Sequence, residues 1–172
     1  THIVPDNEVC NGLDSFERLN LAIESINNDH PDIDFCVHAG DITDKGNVES
    51  YERFKQLKSK LKTPLYLTIG NHDNRDNFKQ VFNDEYSDEN GFIQKVIDIK
   101  DQRIIILDTF DDNLVGEGKL CKNRLKWLKK QQAADDEEHA QWEPKPDTTS
   151  KKIPPGAKAA RDASRNKKKI EP

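Results

Sequence analysis

The apolar positions of this chain change their period several times over the first 131 residues, and each change predicts an element. Over 14–28 they fall at Phe16, Leu19, Ala22, Ile23 and Ile26, steps of three and four that share one helical face. Asp14 or Ser15 can cap this helix, and His30-Pro31 ends it, because the residue before a proline is driven out of helical geometry. The run 33–37 then reads as a buried strand. Helical spacing returns with Val48, Tyr51, Phe54, Leu57 and Leu61, predicting a helix over 48–61 that Thr63-Pro64 stops, and 64–69 reads as the next strand. Strand, helix and strand in succession predict a right-handed βαβ crossover with parallel strands. A short helix over 77–82, an antiparallel hairpin of 92–99 and 103–107 around Lys100-Asp101-Gln102, and a helix over 122–131 with Leu125 and Leu128 inward complete an α/β pattern without internal repeats.

Beyond that point the pattern stops. From Ala133 to Pro172 there is no Leu, Val or Phe, and five of the eight prolines lie there. The stretch carries a charge of +1, which leaves −6 on the first 132 residues of a chain whose net charge is −5. The expected organisation is a folding unit over 1–131 and a polar, disordered tail rich in Lys, Pro and Ala over 132–172. Cys10, Cys36 and Cys121 are odd in number and widely scattered, which argues against a disulfide framework or a zinc knuckle and fits a reducing, cytoplasmic setting. No apolar span is long enough to cross a membrane. The lysines of 161–169 lack interleaved aromatics, so a solvated tail is favoured over nucleic-acid binding.

The chemistry concentrates where the two parallel strands end. His38-Ala39-Gly40-Asp41-Ile42-Thr43-Asp44 closes the first, and Gly70-Asn71-His72-Asp73 closes the second. In open α/β sheets ligands bind just outside the carboxyl ends of the strands. A carboxylate, an amide oxygen and an imidazole gathered there suit a hard or borderline divalent ion. Phosphodiesters repel hydroxide, so a catalyst must neutralise phosphate charge and supply hydroxide near neutral pH; two divalent ions ~3.5–4 Å apart do both.

These strings resemble the calcineurin-like metallophosphoesterases, whose blocks run D-x-H, G-D, G-N-H-D/E, H and G-H-x-H. Thr1-His2 resembles the end of the first block, Gly40-Asp41 the second and Gly70-Asn71-His72-Asp73 the third. Gly-Asp-Ile-Thr-Asp with Gly46, and Asn-His-Asp followed by Arg75 and Phe78, look most like class III cyclic-nucleotide phosphodiesterases and related glycerophosphodiesterases. The resemblance implies part of an α/β/β/α sandwich, with two divalent ions (Mn, Fe or Zn) and a small phosphodiester as substrate. His2 would bind the first ion, Asp41 would bridge both and Asn71 would bind the second. His72 would be an acid or phosphate contact, Asp73 would orient His72, and Asn71, His72 and Arg75 would face the substrate. The first-block aspartate and the later histidines of the pattern are not matched, so the expectation is a fragment holding half the ligands, with little or no activity of its own. The competing reading is a non-catalytic truncated or alternatively spliced product that binds a partner or does not fold stably.

Other residues have plainer readings. His38 is expected to be packed or hydrogen-bonded, Asp44 to cap a turn, and Asp111-Asp112 to form a turn after a strand. Arg75 fits a substrate phosphate or a surface salt bridge equally, and Glu138-His139 belongs to a solvated charge run. Oligomeric state has no signature in the chain.

Overall fold

The computed structural model describes residues 1–83, 85–100, 102–111 and 116–140, with only the backbone for 135–140. In chain order the elements are α1 (Ser15–Asp29), β1 (Cys36–Ala39), α2 (Val48–Lys58), β2 (Leu65–Thr68), α3 (Arg75–Phe82), β3 (Lys95–Ile99), β4 (Gln102–Ile106) and α4 (Lys122–Ala140). β1 and β2 pair in parallel, with Cys36 opposite Leu65 and Ala39 opposite Thr68, and α2 is the crossover between them. β3 and β4 form the antiparallel hairpin, with Lys95 opposite Ile106 and Ile99 opposite Gln102. The α/β class, the βαβ unit and the hairpin therefore stand as the pattern predicts.

Side-chain hydrogen bonds set the helix starts. Asp14 Oδ1 accepts from Glu17 N, Asn47 Oδ1 from Ser50 N and Asn74 Oδ1 from Asn77 N, each satisfying an orphan amide of a first turn. The Asn74 cap is why α3 begins at Arg75 rather than at 77. α2 stops at Lys58, short of 61, because Asn27 holds the chain leaving it: its amide donates to Lys60 O at 2.9 Å and its oxygen accepts from Lys62 N at 2.9 Å. β1 starts at Cys36 rather than 33, where Cys36 N first meets Pro64 O at 2.8 Å; Ile33, expected to be buried, is exposed. α4 continues nine residues beyond 131, to Ala140, and Leu125, expected inward, is exposed while Arg124 and Trp127 are buried. The reading of 132–172 as a disordered tail falls, from 141 onward, outside the described residues, as do the basic stretch at 161–169 and Asp112.

Thr1–Glu137 form one compact unit. Its core gathers Ile3, Ile42, Leu67 and Ile69 with the rings of Tyr51, Phe54, Phe78, Phe82 and Tyr86. Those rings meet mostly edge to face, at centroid distances from 5.7 to 6.3 Å, with Phe78 and Phe82 closer at 4.7 Å. Such pairs add to simple area burial. This ring cluster seats α2 and α3 beneath the two strand ends. The opening residues lie alongside: His2 N donates to Asp41 O at 3.0 Å and Ile3 N to Ile42 O at 2.9 Å. Among the described residues no helix is long and apolar enough to cross a membrane.

Candidate metal centre

Three backbone facts bring the site together. Asp41 and His2 both have positive φ, 49° and 53°, a conformation that non-glycine residues adopt at a cost. Gly40 (φ 87°) packs so tightly that a Cβ there would lie 2.7 Å from Gly70 N. A Cβ on Gly70 would sit 2.2 Å from Asp41 Oδ1, so only glycine lets the carboxylate lie across the second loop. The glycine beside each functional residue is thus a clearance requirement, and the left-handed turns at residues 2 and 41 aim their side chains at one another.

The result is a set of donors: ligand atoms of His2, Asp41 and His72 all lie within 4.8 Å of one another. His2 Nε2 is 3.8 Å from Asp41 Oδ2 and the two imidazoles meet edge to face at 4.5 Å. His72 N donates to Asp41 Oδ1 at 3.2 Å. His2 Nδ1 is buried and makes no hydrogen bond among the described residues, with Asp44 Oδ1 nearest at 3.5 Å. With Nδ1 turned toward Asp44, His2 leaves Nε2 facing the Asp41 carboxylate, and nitrogen and oxygen donors together suit a borderline divalent ion. Asn71 lines the same open hollow as Asp41, a cavity of about 220 Å³ whose other walls are Ala39, Ile69, Gly70, Thr109, Phe110 and residues 116–118.

His72 is fixed by its ring. Nδ1 lies 2.9 Å from Asp44 O, and a carbonyl only accepts, so Nδ1 carries the hydrogen and Nε2 remains for a ligand or proton. Asp73 takes up different partners from those expected. Its buried carboxylate accepts from Ile42 N, Thr43 N, Thr43 Oγ1, Gly70 N and Tyr51 Oη, at 2.9–3.3 Å. It ties the loop after β1 to the loop after β2, and the His72 ring is held by the Asp44 carbonyl instead. Burial and the neighbouring Asp73 charge push the Tyr51 hydroxyl far up, so it remains a donor to Asp73 while accepting from Asn74 N at 2.9 Å.

Arg75 also has other partners than a phosphate or a surface carboxylate. Its guanidinium forms a two-pronged pair with the fully buried Asp108. The physical reason is position: Arg75 opens α3, whose first turn faces the end of β4 rather than the cluster. His38 is packed, as the plainer reading has it, edge-on to Phe54 at 5.3 Å and 3.1 Å from Thr1 Oγ1; burial lowers its pKa to about 4 and keeps it neutral.

Sequence reasoning missed two residues. Asp44 Oδ1 stands 3.5 Å from His2 Nδ1, 3.8 Å from His72 Nδ1 and 3.5 Å from Cys10 Sγ, which donates to it. The available signal was its spacing, three residues after Asp41. Asp108 left no local signal, since its partners come from α3 and α4.

Comparison with known proteins gives a consistent result. A family model described as calcineurin-like phosphoesterase matches residues 1–169. The chain is 36% identical over 129 residues to a probable cyclic nucleotide phosphodiesterase of Rhodopseudomonas palustris, covering 74% of this chain and 47% of that protein. It is 38% identical over 135 residues to a probable glycerophosphodiester phosphodiesterase of Arcobacter nitrofigilis, covering 76% and 48%. To the 3',5'-cyclic adenosine monophosphate phosphodiesterase of Pseudomonas aeruginosa it is 28% identical over 98 residues, covering 57% and 34%. The chain spans about half the length, or less, of these curated relatives.

Proposed function

Since the chain belongs to the calcineurin-like phosphoesterase family, we propose that His2, Asp41, Asn71 and His72 are its share of a divalent-metal centre for hydrolysing phosphodiesters, of the cyclic-nucleotide or glycerophosphodiester class. The observation that carries this reading is the convergence of His2, Asp41 and His72 within 4.8 Å at the ends of two parallel strands. The activities for which the similar bacterial proteins are named support the substrate class. Mn, Fe and Zn ions all suit the donor set.

Divalent ions bound here supply charge neutralisation at the phosphate and a water acidified toward neutral pH. The chain's own residues do the rest. Asp41 offers two oxygens on a turn fixed by the Gly40–Gly70 contact, which suits a bridging ligand. His2 brings Nε2 to one side of that carboxylate. Asn71 contributes a neutral amide oxygen in the hollow, which adds no negative charge against the phosphate. His72, with Nδ1 anchored on Asp44 O, presents Nε2 to hold a phosphate oxygen or hand a proton to the departing one. Asp73 positions both loops at once rather than touching the reacting atoms.

The test is a binding measurement on the 172-residue chain. With Mn²⁺ present, the ³¹P relaxation of bis(p-nitrophenyl) phosphate is expected to quicken when the chain is added, and the effect to vanish in Asp41→Asn. No chain-dependent relaxation, or the same relaxation in Asp41→Asn, would remove the assignment.

A further inference from the structure

Asp108 is fully buried, ionisable and outside the proposed chemistry. Its carboxylate accepts from Arg75 Nε (2.9 Å) and Nη2 (3.0 Å), Ile93 N (3.0 Å), Phe110 N (3.1 Å) and Arg124 Nη1 (3.3 Å). Arg124 is itself buried, and its Nη1 also donates to Asp108 O at 2.8 Å and Phe110 O at 2.7 Å. Arg75 Nη2 reaches the same Phe110 carbonyl at 3.1 Å. The two guanidinium groups lie over aromatic faces, Arg124 4.8 Å from the Phe92 centroid and Arg75 5.3 Å from that of Phe110.

Two buried charges and a third, partly buried one pay heavily in desolvation, and apolar side chains of similar volume commonly stabilise a fold as well or better. What an ion cluster provides in exchange is a single geometry, because each hydrogen bond has a direction. Among the described residues that geometry anchors the start of the segment after β4, together with Ile93 and the first turns of α3 and α4. Both guanidinium groups and the Asp108 carboxylate converge on the backbone of Phe110, and Lys119 N donates to Thr109 O at 2.8 Å to close the segment's neck. Thr109, Phe110 and residues 116–118 line the hollow that also holds Asp41 and Asn71. Arg75 stands two residues after Asp73, so the cluster joins this wall directly to the loop bearing Asn71 and His72.

We propose that Asp108, Arg75 and Arg124 are positioning residues that hold Thr109, Phe110 and residues 116–118 as a fixed wall of the hollow lined by Asp41 and Asn71, against which one organic arm of a phosphodiester rests. The inference builds on the metal-centre reading above. The wall acts on the arm, not on the ions, so loosening it weakens diester binding and leaves Mn²⁺ binding intact.

Hydrogen exchange on the full chain separates these effects. With Mn²⁺, amides of 69–73 are expected to gain protection; adding bis(p-nitrophenyl) phosphate is expected to protect Thr109, Phe110 and 116–119 as well. In Arg124→Met the basal exchange of those wall amides should rise about 10-fold, the factor expected when one charge-assisted hydrogen bond is lost. The diester-dependent protection should disappear, while Mn²⁺ protection of 69–73 and exchange in α2 stay as in the wild type. Arg124→Lys, which keeps the charge, should recover part of the diester effect. If Arg124→Met also loosens α2, Asp108→Asn decides: it keeps the volume and removes the charge that gathers both arginines, and it should raise wall exchange and weaken diester protection while Mn²⁺ protection of 69–73 stays unchanged. Unchanged wall exchange in Arg124→Met, or diester protection that survives a loosened wall, overturns the proposal. Wild-type wall amides indifferent to the diester would overturn it too, with the metal centre left standing. Absence of Mn²⁺ protection at 69–73 instead strikes the metal reading, and this one with it.

Discussion

Gly70 shows how a residue without a side chain decides what its neighbours can do. Any Cβ there would lie 2.2 Å from Asp41 Oδ1, so Gly70→Ala should displace the carboxylate and weaken Mn²⁺ binding by about 10-fold or more, the scale seen when a ligand loses its support. The thermal shift produced by Mn²⁺ reads this directly, and an undiminished shift would contradict it. His38 gives a prediction in pH. Its imidazole is held neutral with a pKa lowered to about 4 by burial. The unfolded chain therefore takes up a proton first as pH falls, and the stability tied to this group is lost from about 6.5 down to about 4 and is flat above that window. Melting curves of the wild type and His38→Gln should diverge in slope only inside it; parallel slopes would contradict the assignment. At this scale the sequence placed Asp41, Asn71 and His72 together beside glycines at the strand ends, and the structure brings Asp41 next to His72 and into one hollow with Asn71. The resemblance has Asp73 orient His72, whereas consecutive residues point apart and the Asp73 carboxylate turns back to the amides of Ile42, Thr43 and Gly70. Arg75 was open between two surface roles and took a third, because its buried partner lies 33 residues away.

Elements were easiest to read where periodicity runs long and hardest at their ends. α1 and α2 follow the apolar steps Phe16–Ile26 and Val48–Leu57, and the hairpin follows its β-branched residues, with Val96 opposite Ile105 and Ile97 opposite Ile104. Ends depended on side chains reaching across the fold, which no local window contains: Asn27 bonding to 60 and 62 shortens α2, and Pro64 O fixes where β1 can begin. Caps are the local exception. Asn74 follows the Gly-Asn-His-Asp string and opens α3, so it couples the candidate centre to a helix. Asn74→Ala should cost about 1 kcal/mol of unfolding free energy, the usual worth of such a cap. Urea denaturation checks this, and a loss indistinguishable from zero would mean α3 does not rely on it.

For the molecule as a whole, the described residues present two small sheets, one parallel and one antiparallel, with the hollow lined by Asp41 and Asn71 at the end of the parallel pair and further lining supplied by Thr109, Phe110 and residues 116–118. The strand–helix–strand order made the parallel sheet legible in advance. The wall was not, because it depends on Asp108 gathering arginines from α3 and α4. Linkage supplies a whole-molecule readout, since a ligand that binds only the folded state stabilises it by about 2.7 kcal/mol at 100 times its Kd. The most direct measurement is a calorimetric titration of Mn²⁺ into the 172-residue chain beside Asp41→Asn, whose side chain keeps its volume and loses its charge. The account predicts binding heat for the wild type, a Kd raised at least about 10-fold in the variant, and an unchanged melting temperature for both without metal. Equal Mn²⁺ affinity in the two proteins, or no binding by the wild type, would contradict it.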